Sequence, residues 1–508
     1  MRASRDNPLR PAGVSRALSV AALALLVSGC ISLAPSREEP ALIGDLPDQF
    51  SNADASGDYA PQAWWDAFDD PVLTGLVDQA LRANTDIVEA VGRLEQARAQ
   101  ARISQAGLFP ATSASASGTA TSTPVDGLAF GDIAGGAIDR IDNENYALSL
   151  GTSYELDLFG RVRNDYRAAR QDALASAYDL RTVQLSAAAE TISTYFEVVD
   201  TKRQIELAEL TGDVLEDRAA RSAERFERGL IESFELYQVR QDLRSTQASL
   251  PQLESALTGA EARLALLLGL YPLQLEDYLS DPLQPRLVFE EVPAGLPSAL
   301  LSQRPDVAAA WARLEAARYR IGARKAEQFP TISLTASLGT QGGDPAGALD
   351  FADNWASSLA SSITAPLFDA GRISANIRSA RAVYDQQAAA YARAVLTAYG
   401  EVESAIADYE QQRRRYLLIT SQLASARASL DLQRRRFAAG VGNYTTYLDA
   451  LRTVYQVETS LSSAARATAL ARLGIHRALG GDWAPDSAPE ALPMRKASPA
   501  DTATGETP

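Results

Sequence analysis

The chain has 508 residues, 46% of them hydrophobic and 22% charged, and a formal net charge of -16. That is globular composition, neither a disordered chain nor a polytopic helical membrane protein. The acidic balance argues against nucleic acid or an anionic membrane surface as partner. The 64 acidic residues are spread along helix surfaces without a pocket signature. An enzyme is therefore the weakest reading, and no cofactor or metal is expected.

Residues 1–29 read as a lipoprotein export signal. Arg2, Arg5, Arg10 and Arg16 form a positive start, and the apolar run Ala17 to Val27 is too short to span a bilayer. The run ends Leu26-Val27-Ser28-Gly29-Cys30, which resembles a bacterial lipobox. Cys30, the one cysteine of the chain, would be the lipidated first residue of the mature protein. Removing four Arg and one Asp, a net +3, takes the charge from -16 to about -19. Ile31 follows the cysteine rather than Asp, which by resemblance to the lipoprotein sorting rule of Gram-negative bacteria favours the outer membrane. Acyl chains contribute about 0.8 kcal/mol per buried CH2, so three anchor firmly. Residues 30–62 read as a lipidated tether, extended at least in part.

The remainder repeats. The stretch from Asp86, with Arg93-Leu94-Glu95 and Phe109-Pro110, returns from Asp306 with Arg313-Leu314-Glu315 and Phe329-Pro330. Leu158-Phe159-Gly160-Arg161 returns as Leu367-Phe368, followed two residues later by Gly371-Arg372. Arg225-Phe226-x-x-Gly229-Leu230 returns as Arg436-Phe437-x-x-Gly440-Val441. These blocks place repeat 1 at 63–270 and repeat 2 at 299–483.

In repeat 1 a helix runs from about Asn84 to Leu108 and is stopped by Phe109-Pro110. Two strand patterns follow within a hairpin at 111–156, the second alternating through Tyr146, Leu148, Leu150, Thr152, Tyr154 and Leu156. A long helix occupies 161–228, without proline and with one glycine, Gly212. A return helix spans 232–269, where Pro251 should kink the backbone. Residues 271–298, rich in Pro and Leu, read as an irregular equatorial linker. Repeat 2 has its own opening helix, a hairpin at 331–366, a long helix at 372–439 and a return helix at 444–479. His476, the one histidine, lies late in that last helix and reads as structural. The tail 484–508 reads as disordered.

Each strand pattern is about the length of a tilted transmembrane strand. Two hairpins give four strands, which cannot close, and an open sheet edge cannot sit in lipid. If the hairpins enter a membrane, two, three or four chains would supply eight, twelve or sixteen strands. The long helices, roughly 100 Å each, would form a matching hollow cylinder. On that condition the fold class is an α+β membrane protein, a long α-helical barrel with a transmembrane β-barrel shared between chains; the alternative is an ordinary water-facing hairpin on a core.

Several motifs together resemble the outer membrane factor family, its NodT/OprM-like efflux lipoproteins, with TolC-like architecture. They are Trp64-Trp65-x-x-Phe68-x-Asp70-Pro71-x-Leu73, Leu156 to Arg161, Arg304-Pro305-Asp306, Phe329-Pro330, and Ala478-Leu479-Gly480-Gly481-Asp482-Trp483. The resemblance covers roughly Trp64 to Trp483. It implies a homotrimer with one 12-stranded barrel, four strands per chain, in the outer membrane of a Gram-negative bacterium and extending into the periplasm. It also implies a periplasmic adaptor (membrane fusion) protein and an inner-membrane efflux pump of RND type as partners, and passive exit of small molecules. The turns at Arg225, Phe226 and Gly229, and at Arg436, Phe437 and Gly440, match the adaptor-docking tips. The segment from Asn443 to Arg452 matches the periplasmic gate, with Asp449 and Arg452 on its ionic positions and Thr445 where a relative has Leu. A ring of Asp449 carboxylates held by Arg452 and tyrosines is expected to close the pore. A TolC-like protein-secretion duct and a non-conducting structural coiled-coil lipoprotein are the alternatives.

Overall fold

The computed structural model describes residues 33–37, 50, 64–124, 140–279 and 304–481. The signal, Cys30 and the tail lie outside these residues. The described chain is mostly helical with a single four-stranded sheet. After a 3-10 turn at Trp64–Phe68 come α1 (Pro71–Ala83), α2 (Thr85–Ala106), β1 (Ala111–Pro124), β2 (Arg140–Leu156), α3 (Arg161–Glu227) and α4 (Ser233–Leu267). Then follow a 3-10 turn at Pro272–Asp277, α5 (Pro305–Ala326), β3 (Thr331–Gly342), β4 (Trp355–Thr364), α6 (Arg372–Ala438) and α7 (Tyr444–Ala478). Among the described residues no helix is long and apolar enough to cross a membrane.

The chain divides into two compact units. The first comprises 1–39, 96–173 and 312–389 and holds the sheet. Its strands are antiparallel in the order β1-β2-β3-β4. β2 begins at Arg140, six residues ahead of the alternating run that opens at Tyr146, and there it pairs with β1 alone. At the base of the sheet the turn after β2 is fixed by Asp157, which accepts from the N–H groups of Val162 (3.2 Å) and Arg163 (2.8 Å) and so caps α3. Asp369 caps α6 in the same way, from Ile373 at 2.8 Å.

Residues 33–37 lie against α5. Arg318, paired with Glu315, donates to the carbonyl of Pro35 at 2.8 Å. A Cβ on Gly322 would lie 2.7 Å from the backbone nitrogen of Ala34, so the glycine is what lets residues 33–37 lie against α5. The repeat alignment sets Arg102, which is exposed, opposite Gly322, so this seat occurs only in the second half.

The second unit comprises 40–95, 174–311 and 390–508. Its core joins Trp64, Phe68, Leu73, Leu76 and Val77 to Ile192, Tyr195 and Phe196 of α3 and to Leu264 and Leu268. Asp70 organises this corner. One carboxylate oxygen caps α1 from Val72 (3.0 Å) and Leu73 (3.2 Å), with Pro71 at the first helical position, and the other accepts from the Tyr195 hydroxyl at 2.7 Å. Burial and that carboxylate push the Tyr195 hydroxyl pKa well up. Asn84 breaks α1 from α2: its side-chain oxygen accepts from Asp86 and Ile87, and its amide donates to Leu267 at 3.1 Å. Phe50 is buried and stacks on Tyr399 at 5.4 Å, within a cluster of Val402, Ile406 and Ile475. α4 runs through Pro251 without a break.

His476 is buried between Trp64, on which it stacks at 5.4 Å, and Phe68. Burial, with Arg472 adding to it, lowers its pKa to about 3, so it is neutral at ordinary pH. Its role is structural.

Candidate functional site

Two regions bear on function: the sheet, and the turns joining each long helix to its return helix.

The register sorts the sheet into two chemically distinct faces. One carries the rows Ala114–Leu150–Leu338–Ser357, Ala116–Leu148–Thr340–Trp355, Tyr154–Leu334–Ser361 and Leu156–Ile332–Ile363. The other carries Ser115–Ser149–Gly339–Ala356 and Ser113–Gly151–Ser337–Ser358. Ser115 and Ser149 share a hydrogen bond at 2.8 Å, as do Ser337 and Ser358. On the apolar face Leu150, Leu338, Trp355, Leu359 and Ile363 are exposed, with nothing among the described residues covering them. In sequence β2 already alternates through Tyr146, Leu148, Leu150, Tyr154 and Leu156; the pairing adds that leucines meet leucines and serines meet serines across strands.

The turns have a common build. In the first, Gly229 adopts φ +72°, its N–H donates to Phe226 (2.8 Å), and that of Leu230 donates to Arg225 (2.8 Å). In the second, Gly440 adopts φ +73°, donates to Phe437 (3.0 Å), and Val441 donates to Arg436 (3.0 Å). This is the left-handed C-terminal cap that glycine permits. The motif residues Arg225, Phe226, Gly229, Arg436, Phe437 and Gly440 are therefore brought together as two equivalent tips. The tips differ in their surroundings. At the first, Phe226, Leu230, Phe234 and Tyr237 are exposed. At the second, Phe437 stacks on Tyr447 at 6.1 Å and packs on Tyr444 at 5.0 Å.

The segment after the second tip opens α7. Asn443 caps it, accepting from the Thr445 N–H at 3.1 Å, so Thr445 sits in the first turn. Within one chain Asp449 and Arg452 each reach to another helix. Asp449 accepts from Arg218 of α3 at 2.6 Å. Arg452 donates to Asp242 of α4 at 3.0 Å. The physical reason is reach. Arg218 and Asp242 stand across the helix packing from α7, and a cross-helix pair ties two elements where an i,i+3 pair ties none. The Tyr444 hydroxyl donates to Asp217, which also pairs with Arg221 at 3.0 Å, and the Arg221 guanidinium lies 4.4 Å from the centre of the Tyr444 ring. Farther from the tip, Glu458 of α7 accepts from Arg203 of α3 (3.0 Å) and Arg427 of α6 (2.7 Å).

Sequence reading missed Asp217, Arg218, Arg221 and Asp242. The available signal was a set of charges on the two helices flanking the first tip, within about four helical turns of Gly229.

The model of the outer membrane efflux protein family matches residues 76–270 and 296–481. The chain is 30% identical over 469 residues to the pyoverdine export outer membrane protein OpmQ of Pseudomonas aeruginosa, covering 91% of this chain and 97% of that one. It is 32% identical over 478 residues to the toluene efflux pump outer membrane protein TtgI of Pseudomonas putida, covering 92% and 98%. Its structure superposes on the open state of the MtrE outer membrane channel of Neisseria gonorrhoeae with a TM-score of 0.76, at 29% identity over 89% of this chain and 98% of that one. With its two-faced sheet, long helices and near full-length likeness to these channels, the chain belongs to the outer membrane efflux protein family and is an outer-membrane efflux channel protein.

Proposed function

We propose that three copies of the chain form one 12-stranded barrel continued by a helical tube, the exit duct of a tripartite pump for small molecules. The observation that carries this is the sheet: two free edges, an exposed apolar face and a serine-lined face. The apolar face meets lipid, the serine face lines the conduit, and the edges of β1 and β4 are satisfied by neighbouring copies. Cys30 anchors the mature N-terminus by its acyl chains. The two tips dock a periplasmic adaptor, which couples the duct to an inner-membrane pump of RND type. That OpmQ and TtgI are named for pyoverdine and toluene supports small molecules, rather than proteins, as cargo.

Asp449, Arg452 and Tyr444 act as the gate. Their bonds to Arg218, Asp242 and Asp217 tie the start of α7 to α3 and α4, and adaptor docking opens the duct by replacing those bonds. Thr445, in the first turn of α7, stands at the narrowest level with Asp449.

The test is accumulation of a fluorescent small-molecule dye in intact, energised cells. Deleting the chain should raise steady-state dye several-fold, and the full chain should restore export while a Cys30→Ser variant restores it less. Unchanged dye in the deletion would remove the small-molecule reading.

A further inference from the structure

The base of the sheet carries four phenylalanines from two repeated motifs. Phe109 and Phe329 precede the prolines that lead into β1 and β3; Phe159 and Phe368 follow β2 and β4 in the turns leading into the long helices. Two of the four meet within the chain. Phe159 and Phe329 stack with centroids 4.5 Å apart and planes 14° from parallel, closing the foot of the β2–β3 seam. Both are half-buried. The other two face solvent: Phe109 is 62% exposed and Phe368 is 91% exposed, and Leu367 beside it is 97% exposed where its counterpart Leu158 is half-buried.

The pairing has a rule. The exit phenylalanine of one hairpin, after its even strand, stacks on the entry phenylalanine of the next hairpin, before its odd strand, where those two strands are neighbours. In one chain only the β2–β3 seam satisfies it. β4 and β1 are the sheet edges, so their phenylalanines have no such seam. In a closed barrel of several copies, the edge of β4 lies antiparallel beside β1 of the next copy and makes a second seam of the same kind. We infer that Phe368 of each copy stacks on Phe109 of the next at the foot of that seam, so that the partner that covers these exposed rings is a second copy of this chain. The inference rests on the multi-copy barrel proposed above.

The two seams are not identical. The turn after β4 carries two more residues between its phenylalanine and its glycine than the turn after β2, with Ala370 at φ +53° and Gly371 at φ +86°. Asp369 nevertheless holds it, accepting from Gly371 (3.0 Å) and Ile373 (2.8 Å). The ring of Phe368 therefore projects from a defined turn rather than a loose one.

The experiment uses the full chain, extracted from membranes in mild detergent, with a short bis-maleimide as cross-linker. Phe109→Cys with Phe368→Cys should give covalent dimers and trimers on denaturing gels. Phe159→Cys with Phe329→Cys should cross-link within the chain and run as a monomer. Each single variant should give none. A wild-type chain that takes up maleimide would report a free Cys30, so that site is scored separately. The native mass of the same extract separates the two ideas. A trimer whose edge pair yields only monomer overturns the stack and leaves the barrel standing; a monomeric extract overturns both. As a second reading, Phe109→Ala and Phe368→Ala should lower the temperature of subunit dissociation equally, and the double variant should fall no further. Full additivity would show that the two rings act apart.

Discussion

If the gate is a set of cross-helix bonds, its strength can be worked from their exposure. Arg218–Asp449 and Arg452–Asp242 are partly exposed ion pairs, for which about 0.5 kcal/mol each is the expected scale. A trimer that opens as a unit breaks one copy of each bond in every protomer. Removing one bond therefore costs the closed state about 1.5 kcal/mol in total, close to a tenfold shift toward open. Asp449→Asn should raise open probability in planar bilayers about tenfold, and Arg218→Ala should do the same. The double variant should match either single one, because both remove the same bond. Adding Asp242→Asn, which breaks the separate bond to Arg452, should multiply the effect by about ten again. High salt should narrow the differences, since exposed pairs are screened. The reasoning is refuted if Arg218→Ala and Asp449→Asn add, or if neither changes the open fraction. The former would mean that the two residues act through different partners.

Other consequences follow from single contacts. Asp70→Ala removes a helix cap worth about 1 kcal/mol and strands the buried Tyr195 hydroxyl at about 1–3 kcal/mol, so denaturant titration should show a loss of about 2–4 kcal/mol, and Tyr195→Phe a smaller one. His476 has a folded pKa of about 3 against about 6.5 unfolded, so it contributes stability fully above pH 6.5 that is lost as pH falls from there toward 3. Thermal melts of the wild-type chain should drop across that window by the equivalent of a few kcal/mol, and those of His476→Gln should be flatter there. Gly322→Val should expel residues 33–37 from α5, because the new side chain would occupy the place of the Ala34 backbone. A nitroxide on Ser36→Cys should then give a sharper spectrum than on the wild-type background, with conductance unchanged.

The elements that sequence makes legible are those punctuated by residues with one physical meaning. Phe109-Pro110 and Phe329-Pro330 stop helices because proline cannot donate to the ladder. Gly229 and Gly440 end the long helices because their caps need positive φ. Asp449 and Arg452 could be singled out by resemblance, but not their partners. Arg218 and Asp242 are 231 and 210 residues away in the chain, and nothing local marks which of many helical charges faces α7. Arg140 to Asn145 is polar apart from the exposed Ile141; β1 supplies hydrogen bonds there without burial, so no alternation announces this start of β2. The faces of β1 are hidden for a related reason. A run such as Ser113 to Ser117 alternates alanine with serine, and only the register with Leu148 and Leu150 shows which of the two belongs with the leucines.

The central claim is that copies of this chain enclose a water-filled path across a membrane. Its most direct test is the conductance of the purified full chain in planar bilayers, using the Asp449→Asn, Asp242→Asn variant so that closure at the tip cannot hide a pore. Uniform, long-lived conductance steps that scale with bulk electrolyte are the expected result. A silent bilayer, from protein shown to be inserted and multimeric, would contradict the account.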